Sequence, residues 1–278
     1  MVQYKKEENP ERGIAMSTQT SPVTFEAILR SAAELPGVRI NRSEFLTETL
    51  RPFFSKDLVS RAVAMNPAYA GIDATRLRFL AEACISKETA RVTSFSFAAG
   101  LPGGLALFGT LPADLIQYFG HILRILQKLI YLYGWQELFD EDGLMDDETA
   151  NLLTLFAGVM FGVRGAEKAV TQISESAALR SIRQPSNAAL TRGILDPVAT
   201  KVAAALGVKI TRDAFAKGVS KTVPLLGGLA SGSLTYLTFK PMAQRLQKHL
   251  STLKFADALF YTEGCPDVIH VDDFVELD

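Results

Sequence analysis

The sequence predicts an all-α protein, a single helical domain with a central Gly-rich apolar helical hairpin and a flexible N-terminal tail. Three observations predict this class. Apolar residues recur at helical spacing along most of the chain. Alternating β-branched runs of strand length are almost absent, with Val268-Ile269-His270-Val271 the one candidate. Two runs, 92–113 and 222–239, carry no charged side chain and are repeatedly interrupted by glycine.

At 278 residues, 48% of them apolar and 21% charged, the chain can bury a sizeable core, so one helical unit is expected over 22–278. The 29 basic and 30 acidic residues nearly cancel, and no dense basic tract stands out, which argues against nucleic acid as a partner. Cys84 and Cys265 form no CxxC pair and have no clustered histidines. That excludes a disulfide framework and a structural zinc site, and points to a reducing, cytoplasmic setting. Residues 1–21 hold charges and Pro10 where a secretory signal needs an apolar core, and lack apolar periodicity, so a flexible tail is expected.

From Pro22 to Ala90 the pattern is a series of short amphipathic helices, separated by Leu35-Pro36-Gly37, Arg51-Pro52 and Asn66-Pro67. Ser43 is the expected N-cap of the second helix. The character changes at Val92. The run 92–113 has the length of a membrane span, yet Gly100, Pro102, Gly103, Gly104, Gly109 and Pro112 interrupt it, so a broken helical pair is the better reading. Such segments either enter lipid or let helices approach closely inside a core.

The next helix, about Ala113 to Tyr133, carries Asp114, Gln117, His121, Arg124 and Lys128 at spacings of three or four, hence on one stripe. Its remaining circumference is almost wholly apolar, so it must be central in the core or partly lipid-facing. Tyr133-Gly134 should end it, with glycine in the left-handed conformation. The acidic segment around Asp140 to Glu148 lacks EF-hand spacing, and Asp146 or Asp147 is expected to cap the following helix. Asn151 to Val163 is a further uncharged stretch in which Gly158 and Gly162 would share one helical face. A polar section through Pro185 and Pro197 reads as a loop with a short helix, and amphipathic helices resume from Asp196 to Gly218. Gly228 and Gly232 of the second run repeat the four-residue spacing of Gly100 and Gly104, and a long helix is expected from Pro241 to Tyr261.

The block Gly100-Leu101-Pro102-Gly103-Gly104, then Leu111-Pro112-Ala113-Asp114-Leu115, a long apolar helix and Tyr133-Gly134, resembles the central signature of EcsC family proteins. The later Val223-Pro224-Leu225-Leu226-Gly227-Gly228 and the helix after it resemble that family's C-terminal block. The likeness covers roughly residues 75–260. It implies a bacterial helical protein, from a family whose founding member is encoded beside an ABC transporter, and brings no established reaction. The stretch before Gly100 departs from the family pattern in being richer in Ser, Thr and Phe.

Two non-enzymatic roles follow from the residues. In one, the uncharged runs, with Gly100, Pro102, Gly103, Gly104, Pro224, Gly227, Gly228 and Gly232 as their contact residues, dip into a bilayer or dock on a membrane protein at the inner face of the cytoplasmic membrane. In the other, the same runs lie within a soluble scaffold that binds a protein partner, with a homo-oligomer left open. An enzyme is the least favoured reading. It would use Asp114, His121 and Arg124, completed by a carboxylate or hydroxyl from a second helix. The sequence has no GxSxG, Walker, HExxH or GxGxxG motif, and no cofactor or metal is expected.

Overall fold

The computed structural model describes residues 24–100, 111–139, 145–179, 188–206 and 232–262, and the side chains of these except 95–100, 111–114, 176–179, 188–192, 232–236 and 262. The expected tail 1–21, the strand candidate 268–271, and Pro102, Gly103, Gly104, Pro224, Gly227 and Gly228 of the expected hairpin lie outside the described residues. Those described form ten α-helices and no strand, so the fold is all-α.

The helices are α1 (Phe25–Ala33), α2 (Arg42–Leu50), α3 (Lys56–Ala64), α4 (Ala74–Gly100), α5 (Leu111–Leu132), α6 (Asp147–Met160), α7 (Ala166–Leu179), α8 (Ala188–Ala205), α9 (Gly232–Leu250) and α10 (Ala258–Thr262). A 3₁₀ turn at Lys254–Ala256 precedes the last. The first three stop where the prolines predict. Each begins on a side chain that accepts from a backbone amide of its first turn: Thr24 from Ala27, Asn41 from Glu44, and Ser55 from Leu58. The α2 cap is therefore Asn41 rather than Ser43, because Asn41 places Glu44 at the third helical position and leaves Ser43 inside the first turn.

α5 is the centre of the molecule. It packs against α1, α2, α4, α6 and α9, and Ile122, Leu123, Ile125, Leu126, Leu129 and Ile130 are fully buried. Of the two placements expected for this helix, the described residues put it in the protein core. α4 runs through Val92 without a break to Gly100, and α9 makes its broadest contact along α4. One cluster of buried apolar side chains extends from Phe25 to Ala256.

α5 and α6 end in the same way. Gly134 (φ +97°) follows α5, with the Trp135 amide donating to the Ile130 carbonyl and the Gly134 amide to that of Tyr131. Gly162 (φ +71°) follows α6, with Val163 donating to Gly158 and Gly162 to Val159. Both are Schellman closures that satisfy otherwise open carbonyls. Gly162 thus lies beyond the helix and does not share a face with Gly158. Gly158 makes the tighter contact of the two: a Cβ there would fall 2.5 Å from Val198 Cγ1 of α8 and 2.9 Å from Ala166 Cβ of α7.

Two prolines expected to bound helices lie inside them. Pro197 sits within α8, where the burial of Leu195, Val198 and Val202 outweighs the lost amide. Pro241 sits within α9 rather than at its start, and the carbonyl it frees, on Leu237, lies on a face open to water: Leu237 is 66% exposed. The section after Gly165, expected to be mainly loop, is α7 and the start of α8. The long helix expected from Pro241 to Tyr261 closes at Leu250, and the chain turns through Lys254–Ala256 into α10.

Candidate functional site

Two buried polar networks stand out against this core. The first is centred on Glu88 of α4. Along α4 the buried positions Leu77, Leu80, Ala81, Ile85 and Val92 trace one apolar stripe, and Glu88 lies on it with 0% of its side chain exposed. A lone carboxylate there would be costly, so it must find cations. Lys128 of α5 donates from Nζ to Glu88 Oε1. Arg124, one turn earlier on α5, reaches Oε2 from Nε at 3.3 Å and Oε1 from Nη2 at 3.4 Å. Arg91, one turn after Glu88, brings Nη1 to 3.5 Å from Oε1. Burial pushes the Glu88 carboxyl up, but the hydrogen bond and charge of Lys128, with those of Arg124, outweigh it and hold the group below the usual carboxylate range.

Two of the five residues of the polar stripe on α5, Arg124 and Lys128, therefore meet a carboxylate on α4. His121 shares the electrostatic surroundings of Glu88, Arg124 and Arg91. Burial holds its imidazole below the ordinary value, with Glu88 opposing and the two arginines adding to the effect, so it is neutral at pH 7. Asp114 belongs to the first turn of α5, but its side chain lies outside the described residues. Cys84 borders the cluster, and burial pushes its thiol up to about 11, far from thiolate chemistry at neutral pH. Ionised and surrounded by cations, Glu88 is a fixed charge and a poor proton acceptor, and the group of residues attracts anions.

The second network surrounds Arg42, the first residue of α2. Its Nε donates to the Trp135 carbonyl, Nη1 to that of Val63 and Nη2 to that of Met65. The Arg42 backbone amide donates to Glu137, whose other oxygen accepts from the Tyr131 hydroxyl. Nearby, buried Gln127 of α5 donates to the carbonyls of Val38 and Leu123 and accepts from the Ile40 amide. Neither Arg42 nor Gln127 belongs to the polar stripe or to any motif of the sequence.

The described parts of the uncharged runs lie on neighbouring helices: α4 carries the first from Val92 to Gly100 and packs along α9, which carries the second from Gly232 to Phe239. Phe239 also meets Tyr118, five residues past the first run on α5, edge-to-face with ring centroids 6.5 Å apart. Gly100 is the last residue of α4 and Gly232 the first of α9, while Arg91 stands immediately before the first run. Among the described residues no helix is long and apolar enough to cross a membrane, and no His, Cys, Asp and Glu group could hold a metal ion. Asp146 caps α6 by accepting from the Thr149 amide, as its position before that helix predicts. Comparison with protein-family models, curated proteins and solved structures finds no match.

Proposed function

We propose that this chain is a non-enzymatic helical accessory protein that docks, by the end of the bundle that carries its uncharged runs, on the anionic inner face of the cytoplasmic membrane. The observation that carries the reading is the packing of α4 along α9, which puts described parts of two runs more than a hundred residues apart in sequence on neighbouring helices. A cation group supports it. Arg91 lies nine residues before Gly100, about 14 Å along a helix at 1.5 Å per residue, a spacing at which an apolar tip enters lipid while basic side chains meet headgroups. Leu237, at the same end, is exposed although large and apolar. The resemblance to EcsC proteins favours the same location, and a membrane protein presenting an acidic surface would satisfy the same features.

Flotation with vesicles tests the proposal. The full chain should rise with vesicles of phosphatidylcholine and phosphatidylglycerol and stay down with phosphatidylcholine alone. A chain that floats with neither sinks the reading. The alternative, a soluble scaffold, draws on a different observation: Phe53 and Phe79, 51% and 58% exposed, form an edge-to-face pair with centroids 5.8 Å apart. A partner captured by the wild type and lost on Phe79→Ser, with flotation absent, would favour the scaffold.

A further inference from the structure

The cluster around Glu88 is out of balance. One carboxylate faces Lys128, Arg124 and Arg91, whose side chains are 11%, 15% and 49% exposed. His121 adds no charge at neutral pH because burial keeps it unprotonated. No other carboxylate of the described residues forms an ion pair with these three cations. The group carries three positive charges and one negative, and at Lys128 and Arg124 it is largely shielded from water, where uncompensated charge is costly.

The cations also differ in how fully they are used. Lys128 is the best held: its ammonium donates directly to Glu88 and its stem approaches the Phe45 ring, with Nζ 6.0 Å from the centroid. Arg124 touches Glu88 only through two contacts at the long end of the hydrogen-bonding range. Its Nη1 is turned toward the Gly37 bend, where even a Cβ would be 3.7 Å away. Arg91 approaches the same carboxylate by a single nitrogen at 3.5 Å. A guanidinium has five N–H donors in a planar fork, and two carboxylate oxygens cannot satisfy two such forks and an ammonium. Two incompletely engaged arginines converging on one point suit a tetrahedral oxyanion, which offers more acceptors and more charge than a second carboxylate.

We propose that Arg91 and Arg124 form a binding site for a phosphate-class oxyanion, on the water-facing side of the Glu88–Lys128 pair. Glu88 and Lys128 are positioning residues. Their mutual bond holds α4 and α5 in register, and the carboxylate aligns both guanidinium groups from beneath. The site lies near the docking end of the bundle but does not require docking, since the same geometry accepts free phosphate or the phosphodiester of a lipid headgroup.

Thermal unfolding of the full chain with millimolar inorganic phosphate, at constant ionic strength set by chloride, tests the site. Phosphate should raise the Tm of the wild type, as any ligand that binds only the folded state does. Arg91→Gln should weaken the apparent phosphate affinity about tenfold, the loss expected for one charged hydrogen-bonding partner. Its Tm without phosphate should stay near wild type, because Arg91 is half exposed. Arg91→Lys should recover part of the response. No phosphate response in the wild type, or an equal response in Arg91→Gln, overturns the proposal.

Flotation then identifies the source. Floating with phosphatidylglycerol vesicles that is lost in Arg91→Gln assigns the site to a lipid headgroup. A phosphate response without flotation assigns it to a free oxyanion, and the docking reading then fails while the site stands. Flotation unaffected by Arg91→Gln, together with no phosphate response, leaves docking standing and removes the site.

Discussion

Arg42 and Glu88 are both ionised groups taken out of water, and the fold treats them in opposite ways. Arg42 receives three backbone carbonyls, from Val63, Met65 and Trp135, which end α3 and leave α5. Burial pulls its guanidinium below the ordinary value, against the opposing charge of Glu137 and Tyr131, and each of its three nitrogens is bonded to main chain in a residue only 6% exposed, which closes it to a ligand. Glu88 receives side chains instead, and more positive charge than it can neutralise. A buried ion closed by backbone holds architecture together; one surrounded by an excess of side-chain cations keeps donors available. The difference lies in which partner is in surplus, and burial alone would not reveal it.

The comparison breaks most sharply at Arg42. Arg42→Met should cost on the order of 3–5 kcal/mol, because three carbonyls lose their donor at once and part of each is buried. Urea denaturation measures it, and a loss under 1 kcal/mol would show that the network is replaceable. Glu88→Gln should cost about 2–4 kcal/mol: the amide keeps the shape but leaves three cations facing one another without an anion. Glu88→Ala should be worse than Glu88→Gln by the cavity it adds.

Acidification separates the networks by protonation. The folded chain holds Glu88 below its ordinary value of 4.5, so its contribution is complete above that pH and is lost as the pH falls through the lower folded value. His121 and His249 are both held below 6.5, chiefly by burial, so stability starts to fall once the pH drops under 6.5 and that loss ends beneath their folded values. Glu148, raised by its own burial and by Asp146, acts weakly in the opposite sense. Wild-type Tm should therefore decline in two stages below neutrality. Glu88→Gln should lose the lower stage and keep the upper one, whereas Arg42→Met should keep both. An unchanged acid limb in Glu88→Gln would remove the assignment. The smallest effect belongs to Arg91→Gln, which should change stability by no more than about 0.5 kcal/mol, since its ion pair is long and half exposed.

The contrast between these networks also marks how far the residues alone could be read. The prolines at positions 36, 52 and 67, the Tyr133-Gly134 stop and the Asp146 cap are local signals, and each is realised where it stands. The stripe of His121, Arg124 and Lys128 was visible as a period on α5, but its partner was not, because Glu88 lies in the charged stretch Lys87-Glu88-Thr89-Ala90-Arg91, which resembles a solvated face. Extending the apolar stripe of α4 from Leu77 through Ile85 to Val92 would have placed Glu88 inside it. Arg42 carries no comparable signal, since its partners are main-chain atoms far along the chain. Pro197 and Pro241 misled for a related reason: a proline's local cost is visible in sequence, and the tertiary packing that overrides it is not.

One consequence follows from the buried amide of Gln127. It holds the carbonyl of Val38 and the N–H of Ile40 at once, each at 2.9 Å. Ile40 belongs to no helix, and connectors of that kind ordinarily trade their amide hydrogens with solvent within a local fluctuation. Here the trade requires withdrawing a side chain rooted in the central helix. Ile40 should therefore take up deuterium at the pace of the α5 backbone, making this one connector amide a clock for the opening of the whole core.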